Sequence, residues 1–293
     1  MQLVDGHKIA DRIKNKVVKD ILEINNQEPK LEGKAEAMHR PNLAIILIGG
    51  REDSHIYVNL KEREAKKVGV DTHIYKCEED ITTEEVVEMI EYLNNDPEID
   101  GIFVQLPLPA KLDTDKIISS IDPAKDVDRF HKENIQALQQ AEENVEKLIL
   151  PPVFRVISAV LDDINVPIKG KTVCIVANAD IFKNTLATYL QKKGAKVLVS
   201  GIGDKRLTEK SSQADILITA VGKPKIIKKE MIKQDAVVID VGITRDENGN
   251  ISGDVDSEDI RKKAGYLTPV PGGVGPMTVA ATLENVLRLY KQK

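Results

Sequence analysis

Tyr57 and Lys61 stand four residues apart in the run Ser54-His-Ile-Tyr-Val-Asn-Leu-Lys61. On a helix that spacing puts both side chains on one face, a phenol beside an ammonium. Burial disfavours the charged form of a lysine, so an amine in a partly dry site beside a phenol can move protons near neutral pH. Taken alone, the pair is more simply two side chains lying along a helix with polar tips in water. Three other stretches carry residue types suited to a site. Gln105 closes an apolar run at 101–106 and opens Gln105-Leu-Pro-Leu-Pro109. Lys125-Asp-Val-Asp128 sets two acids two residues apart, which by itself suits a turn with solvated charges. Leu267-Thr-Pro-Val-Pro-Gly-Gly-Val-Gly-Pro-Met-Thr278 holds three glycines and three prolines. It reads as a stiff loop with backbone open to a ligand, or as a plain linker.

The elements that position these residues follow from hydrophobic period. Residues 9–24 have helical spacing, and 25–41 form a polar connector with two prolines and a glycine, to which no role is assigned. A buried strand is expected at 43–48, ended by Gly49-Gly50, then the Tyr57/Lys61 helix up to Gly69. A strand at 72–77 follows, then a helix at 82–95 opened by Thr-Thr-Glu-Glu, with Val86, Val87, Ile90 and Leu93 on one face. A third strand runs 101–106, with a short helix after it. The second half predicts a helix at 157–164 and strands at 172–176, 196–200, 215–220 and 236–240. It also predicts helices at 181–193 and 279–290. Strand and helix alternate throughout, which calls for parallel sheets with covered faces, and the second series has the layout of a dinucleotide-binding domain. Ligands of such sheets bind beyond the carboxyl ends of the strands, where Gln105 and the Gly49-Gly50 turn lie.

With 293 residues, 41% hydrophobic and 30% charged, the chain suits two globular domains. Its net charge of -5 gives no general drive toward nucleic acid or an acidic membrane. No apolar run is long enough to span a membrane, and the first residues lack the basic and apolar segments of a signal peptide. Cys77 and Cys174 lie far apart in strand-like segments and are both expected to be buried, reduced and structural, as suits a cytoplasmic protein. The five histidines are scattered, so no metal site is expected.

In order, the Tyr57-Val58…Lys61 segment, Gly101-Ile-Phe-Val-Gln-Leu-Pro-Leu-Pro109, Lys125-Asp-Val-Asp128, Val238-Ile-Asp-Val-Gly-Ile243 and Pro269-Val-Pro-Gly-Gly-Val-Gly-Pro-Met-Thr278 resemble the bifunctional methylenetetrahydrofolate dehydrogenase/methenyltetrahydrofolate cyclohydrolase family. The resemblance covers nearly the whole chain, and the ordered set is far more specific than any one block. It implies an α/β fold of two α/β domains flanking a cleft, the second Rossmann-like, with the last helix returning to the first domain. The expected boundaries are 1–148 with 270–293 for the folate-binding catalytic domain and 149–269 for the cofactor domain. It further implies tetrahydrofolate substrates, NADP or NAD as cofactor, and a homodimer formed through the second domain. By the family pattern Lys61 is the main catalytic residue, with Tyr57 and Gln105 beside it. Tyr57, Val104, Gln105, Leu106, Asp128, Pro271, Gly272, Gly273, Val274 and Gly275 are the expected folate contacts. Ala177, Asn178, Ala179, Gly222, Ile243 and Thr278 are the expected cofactor contacts. A carboxylate can accept from the N–H groups of a pterin edge with charge assistance.

The departures are concentrated on the cofactor side. Where the family carries Gly-Arg-Ser…Gly-x-Pro, this chain reads Ala177-Asn-Ala-Asp-Ile-Phe-Lys-Asn-Thr185. Asn178 removes the charge partner for a 2′-phosphate, and Lys183 in place of glycine either crowds the phosphates or binds them. Gly201-Ile-Gly-Asp204 replaces small hydroxyl residues, and an acid there favours a free ribose hydroxyl. Pro151-Pro-Val-Phe154 replaces Pro-Cys-Thr-Pro, and Arg129 replaces the glycine after Asp128. Three readings follow: a bifunctional enzyme with altered cofactor handling, a cyclohydrolase whose dehydrogenase activity is lost and whose second domain is structural, kept for dimerisation, and a non-catalytic folate-binding scaffold. The intact Tyr57, Lys61, Gln105 and Asp128 set argues against the third, and the first is preferred.

Overall fold

The computed structural model describes residues 1–27, 39–142, 145–247 and 249–293. In chain order the elements are β1 (Gln2–Leu3), α1 (Gly6–Gln27), β2 (Asn42–Ile48), α2 (Glu52–Val68), β3 (Asp71–Cys77), α3 (Thr83–Asn95) and β4 (Gly101–Val104). Then come α4 (Thr114–Ser119), α5 (Lys132–Gln140), α6 (Pro152–Asp163), β5 (Thr172–Ala177), α7 (Asp180–Lys192), β6 (Lys196–Ser200), α8 (Leu207–Ser211) and β7 (Ile216–Ala220). The chain ends with β8 (Val237–Asp240), β9 (Thr244–Arg245), β10 (Ile251–Ser252), α9 (Ser257–Ile260), β11 (Tyr266–Leu267) and α10 (Val274–Tyr290). Most of the expected 25–41 connector lies outside the described residues. At its margins Asn25 exchanges two hydrogen bonds with the backbone of His39, at 3.0 and 2.8 Å.

Contacts group the chain into two compact units: Met1–Ala10 with Ile135–Leu148 and Val153–Thr278, and Asp11–Asn134 with Ile149–Pro152 and Val279–Lys293. The last helix thus returns most of its length to the unit built from the first half, as expected. That unit holds a parallel three-stranded sheet in the order β3-β2-β4. Side chains of β2 alternate between its two faces, as the strand period requires. Leu43, Ile45 and Leu47 pack with Val17 and Ile21 of α1, Val58 and Ala65 of α2, and Leu283, Val286 and Leu287 of α10. Ala44, Ile46 and Ile48 pack with Val86, Ile90 and Leu93 of α3 and Ile117 of α4. With both faces covered, the unbroken apolar run of β2 is what a buried parallel strand needs. The α3 start is the expected one: Thr82 and Glu85 form a reciprocal capping box.

The other unit holds a parallel six-stranded sheet in the order β1-β11-β8-β7-β5-β6, and a small β9/β10 hairpin. Its core joins Cys174 and Val176 of β5 to Leu217 of β7, Val238 of β8 and Leu267 of β11. Several features depart from expectation. The N-terminal residues enter this sheet through β1, paired to β11 at Gln2–Tyr266 and Leu3–Leu267. Helix α6 begins at Pro152 and α10 at Val274, both earlier than expected. Pro152 and Pro276 fall in first turns, where a missing N–H costs no helical hydrogen bond. Cys77 is half-buried, against expectation, because β3 is an edge strand, while Cys174 on β5, a strand paired on both sides, is buried. Among the described residues no helix is long and apolar enough to cross a membrane.

Candidate active site

In the three-stranded sheet β3 and β4 leave β2 on opposite sides, so the strand order reverses between β2 and β4. The carboxyl ends flanking such a reversal form a natural binding crevice. The β2 end leads through Gly49-Gly50 into α2, and the β4 end leads to Gln105, whose N–H donates to Ile46 O at 2.9 Å. Lys61, 6% exposed, projects from α2 and donates from Nζ to Gln105 Oε1 at 2.9 Å. Gln105 Nε2 donates to Leu106 O at 2.7 Å, which turns the amide oxygen toward the lysine. The Nζ lies 5.7 Å from the Tyr57 ring centroid and 4.3 Å from that of Phe103. Burial pushes the Lys61 ammonium well below its ordinary value, and the charge of Asp128 opposes this. The amine is thus poised to give up a proton while remaining fixed. Val104 is buried beneath the site, Leu106 is exposed, and Tyr57 is half-buried.

The Lys125–Asp128 segment divides its labour. Lys125 Nζ donates to Leu93 O at 3.0 Å and Asp96 O at 2.6 Å, satisfying carbonyls at the end of α3. Buried Asp126 accepts from the N–H groups of Arg129 (2.9 Å) and His131 (2.8 Å) and from Asn134 Nδ2 (3.0 Å). These bonds shape the loop that carries Asp128. Burial, then the neighbouring charge of Asp126, raise the Asp128 carboxyl above the ordinary range, and Lys61 opposes them. Arg129 has φ 61°, the left-handed conformation that a glycine takes easily, so the loop keeps its path despite the side chain. The Arg129 Nη1 donates to Pro123 O at 2.7 Å.

Pro271, Gly272, Gly273, Val274, Gly275 and Thr278 belong to the other unit, Val274 onward forming the first turns of α10. The loop packs on the start of α1, where a side chain at Gly6 would collide with the carbonyls of Gly272 and Gly273. Thr278 Oγ1 donates to Val274 O at 3.0 Å.

In the six-stranded sheet β6 and β7 leave β5 on opposite sides, so the order reverses between β5 and β7. Ala177 closes β5, and Asn178 Nδ2 donates across the reversal to Val221 O at 3.0 Å. Ala179 caps α7 without a side-chain hydrogen bond, leaving first-turn N–H groups for a ligand. Lys183 pairs with Asp180 on that turn. Gly222 has open space around it, and the Ile243 side chain is 43% exposed. Small residues, uncapped amides and an exposed apolar side chain at one sheet edge fit a dinucleotide. Asp204 is used by its own turn: it accepts from Ser200 Oγ (3.1 Å), Arg206 N (2.9 Å) and Lys210 Nζ (2.6 Å). The Lys210 hydrogen bond leads the causes that hold its carboxyl down at about 2. The expected ribose-reading acid is therefore an anchor for the loop after β6.

Sequence reasoning missed Phe103, whose position inside an apolar run signals only burial, and Asp126, which read as one half of a solvated pair. Among the described residues no cluster of three or more His, Cys, Asp or Glu side chains could hold a metal.

Comparison with known proteins covers both units. The family model described as the tetrahydrofolate dehydrogenase/cyclohydrolase catalytic domain matches residues 4–128, and that described as its NAD(P)-binding domain matches 151–293. The chain is 40% identical over 293 residues to the bifunctional protein FolD of Nitratiruptor sp., covering 100% of this chain and 99% of that protein. The bifunctional FolD crystal structure from Campylobacter jejuni superposes with a TM-score of 0.88 at 35% identity, covering 100% and 99% of the two chains. The Trypanosoma brucei FolD, solved with NADP and an inhibitor, gives a TM-score of 0.90 at 31% identity, covering 99% and 97%.

Proposed function

The chain belongs to the tetrahydrofolate dehydrogenase/cyclohydrolase family, and on that footing we propose how its own residues divide the work. The activity is the interconversion of 5,10-methylenetetrahydrofolate, 5,10-methenyltetrahydrofolate and 10-formyltetrahydrofolate, by an NAD(P)-dependent dehydrogenase and a cyclohydrolase. The observation that carries the assignment of roles is the buried Lys61 amine, held by Gln105 and within reach of two aromatic rings.

In the cyclohydrolase step water adds to the cationic methenyl carbon. Neutral Lys61 takes a proton from that water as the C–O bond forms, and it does so without repelling the cation. The proton then passes to N5 as the C–N5 bond breaks, and the hydroxyl releases its remaining proton to solvent as its oxygen becomes the carbonyl of the formyl group on N10. Tyr57 and Gln105 keep the amine in place. Asp128 accepts from the N–H donors of the pterin, and Val104, Leu106, Pro271, Gly272, Gly273, Val274 and Gly275 complete the folate contacts. NAD(P)+, when bound, supplies a hydride acceptor for the methylene carbon. Ala177, Asn178 and Ala179 with the first turn of α7 receive the pyrophosphate, and Gly222, Ile243 and Thr278 the remainder. In this scheme residues 1–148 with 270–293 serve the folate and 149–269 the cofactor. The active form is a homodimer in the cytoplasm.

The test follows methenyltetrahydrofolate absorbance in the Lys61→Met variant. A rate loss of about 100-fold or more is expected, in keeping with the worth of a positioned general base. An unchanged rate would reject Lys61 as the proton carrier. Folate binding without turnover in the parent chain would favour the scaffold instead.

A further inference from the structure

Two carboxylates at the ends of β7 and β8 take no part in the steps above. Asp240 and Asp254 are 2% and 0% exposed. Asp254 Oδ2 accepts from Thr219 Oγ1 (2.7 Å) and Val221 N (2.7 Å), and its Oδ1 accepts from Lys223 N (3.0 Å). Asp240 Oδ1 accepts from Gly242 N (3.0 Å) and Asp254 N (3.1 Å), and its Oδ2 from Val255 N (2.9 Å). Asp240 therefore grips the segment that carries Asp254, and Asp254 in turn grips the end of β7 and the 221–223 loop. The fit is tight enough that a side chain at Gly242 would strike the Asp254 carboxylate, and one at Gly253 would strike that of Asp240. The 253–254 segment is fastened in turn by Lys225 N to Gly253 O (3.1 Å) and Ile227 N to Asp254 O (2.9 Å). Asp240 N donates to Thr268 Oγ1 at 2.8 Å, which extends the grip to the start of the Pro269–Thr278 stretch.

Burying two acids is unfavourable, and burial pushes the Asp240 carboxyl up to about 7. A packing role alone would be filled at least as well by apolar side chains. What a carboxylate offers instead is several acceptor positions at once, aimed at loop amides that have no strand partner. The loops so held are 221–223 and 241–243, at the carboxyl ends of two neighbouring strands of an open parallel sheet, where ligands of this architecture bind. We propose that Asp240 and Asp254 are positioning residues for the dinucleotide, shaping the Gly222 and Ile243 loops into the form that receives it. This rests on the reading of Gly222 and Ile243 as cofactor contacts.

The test measures NADH and NADPH binding by nicotinamide fluorescence, alongside the cyclohydrolase rate, in the parent chain, Asp254→Asn and Thr219→Val. In Asp254→Asn the introduced amide would present a donor to one of the loop N–H groups in place of an acceptor. Dissociation constants are expected to rise about tenfold in Asp254→Asn and about threefold in Thr219→Val, the scale of one or two lost hydrogen bonds. The cyclohydrolase rate should stay within about twofold, since the hydrogen bonds lost serve the cofactor loops. Unchanged binding in folded variants overturns the proposal, as does a parallel fall in binding and cyclohydrolase rate, which marks a general structural role. If Asp254→Asn does not fold, Thr219→Val decides alone. A parent chain that binds neither dinucleotide fails differently: it removes the cofactor site itself, and the positioning role with it.

Discussion

At 6% exposure the Lys61 amine has lost most of the water that would favour its ammonium form. The base form does the work, so the cyclohydrolase rate should climb with pH and level off below the ordinary lysine value of 10.5. Gln105→Glu sharpens this prediction. It sets a negative charge where a neutral oxygen now sits 2.9 Å from Nζ, which favours the ammonium. The rising limb of the pH–rate profile should then move to higher pH by about one unit or more, the usual effect of an opposite charge at contact. A profile that stays in place would mean that another group takes the proton. Lys61 and Gln105 stood out in the sequence by helical spacing and a strand end, but their roles, like that of Asp128 in its turn, came from the ordered family motifs and not from local pattern. Phe103 was not, because alternation along a strand says that a ring is buried without saying what lies against it.

Among the elements, α7 shows how substitution can be absorbed. Phe154 of α6 is fully buried, edge-on to Phe182 at 5.9 Å and stacked on Tyr189 at 5.9 Å. The two stretches that depart most from the family pattern, 151–154 and 177–185, thus meet in one aromatic cluster, and their changes are read best as a matched pair. Phe154→Ala should lower stability by about 3–5 kcal/mol, measurable by urea unfolding, the usual loss at an emptied aromatic site. A loss under about 1 kcal/mol would show that the cluster relaxes freely. At the head of the same helix, Asn178 commits its amide to Val221 O, and no guanidinium stands in its place. NADP should therefore bind no more tightly than NAD, and a titration showing a roughly tenfold NADP preference would contradict that. The long helices and apolar strands were readable from their periods. The two-residue strands β1 and β11 were not, since so short a run has no period, and prolines in the first turns of α6 and α10 imitate loop residues.

On the scale of the molecule, sedimentation should find twice the chain mass, and a monomer at micromolar concentration would reject the dimer. The second strand series was recognisable as a dinucleotide-binding layout, yet its sheet takes its outermost strand from the first residues of the chain, a pairing too distant for local pattern to reveal. That pairing bears on how the protein is made. Residues 2 and 3 must wait for residues 266 and 267 before their sheet edge closes, and β2 lacks the cover of Leu283, Val286 and Leu287 until α10 has been synthesised. Neither half is complete on the ribosome until residues 266–287 have been made. During that interval one face of β2 lacks part of its cover, and apolar surface left open in this way is prone to clumping with neighbouring nascent chains and is what a chaperone would shield.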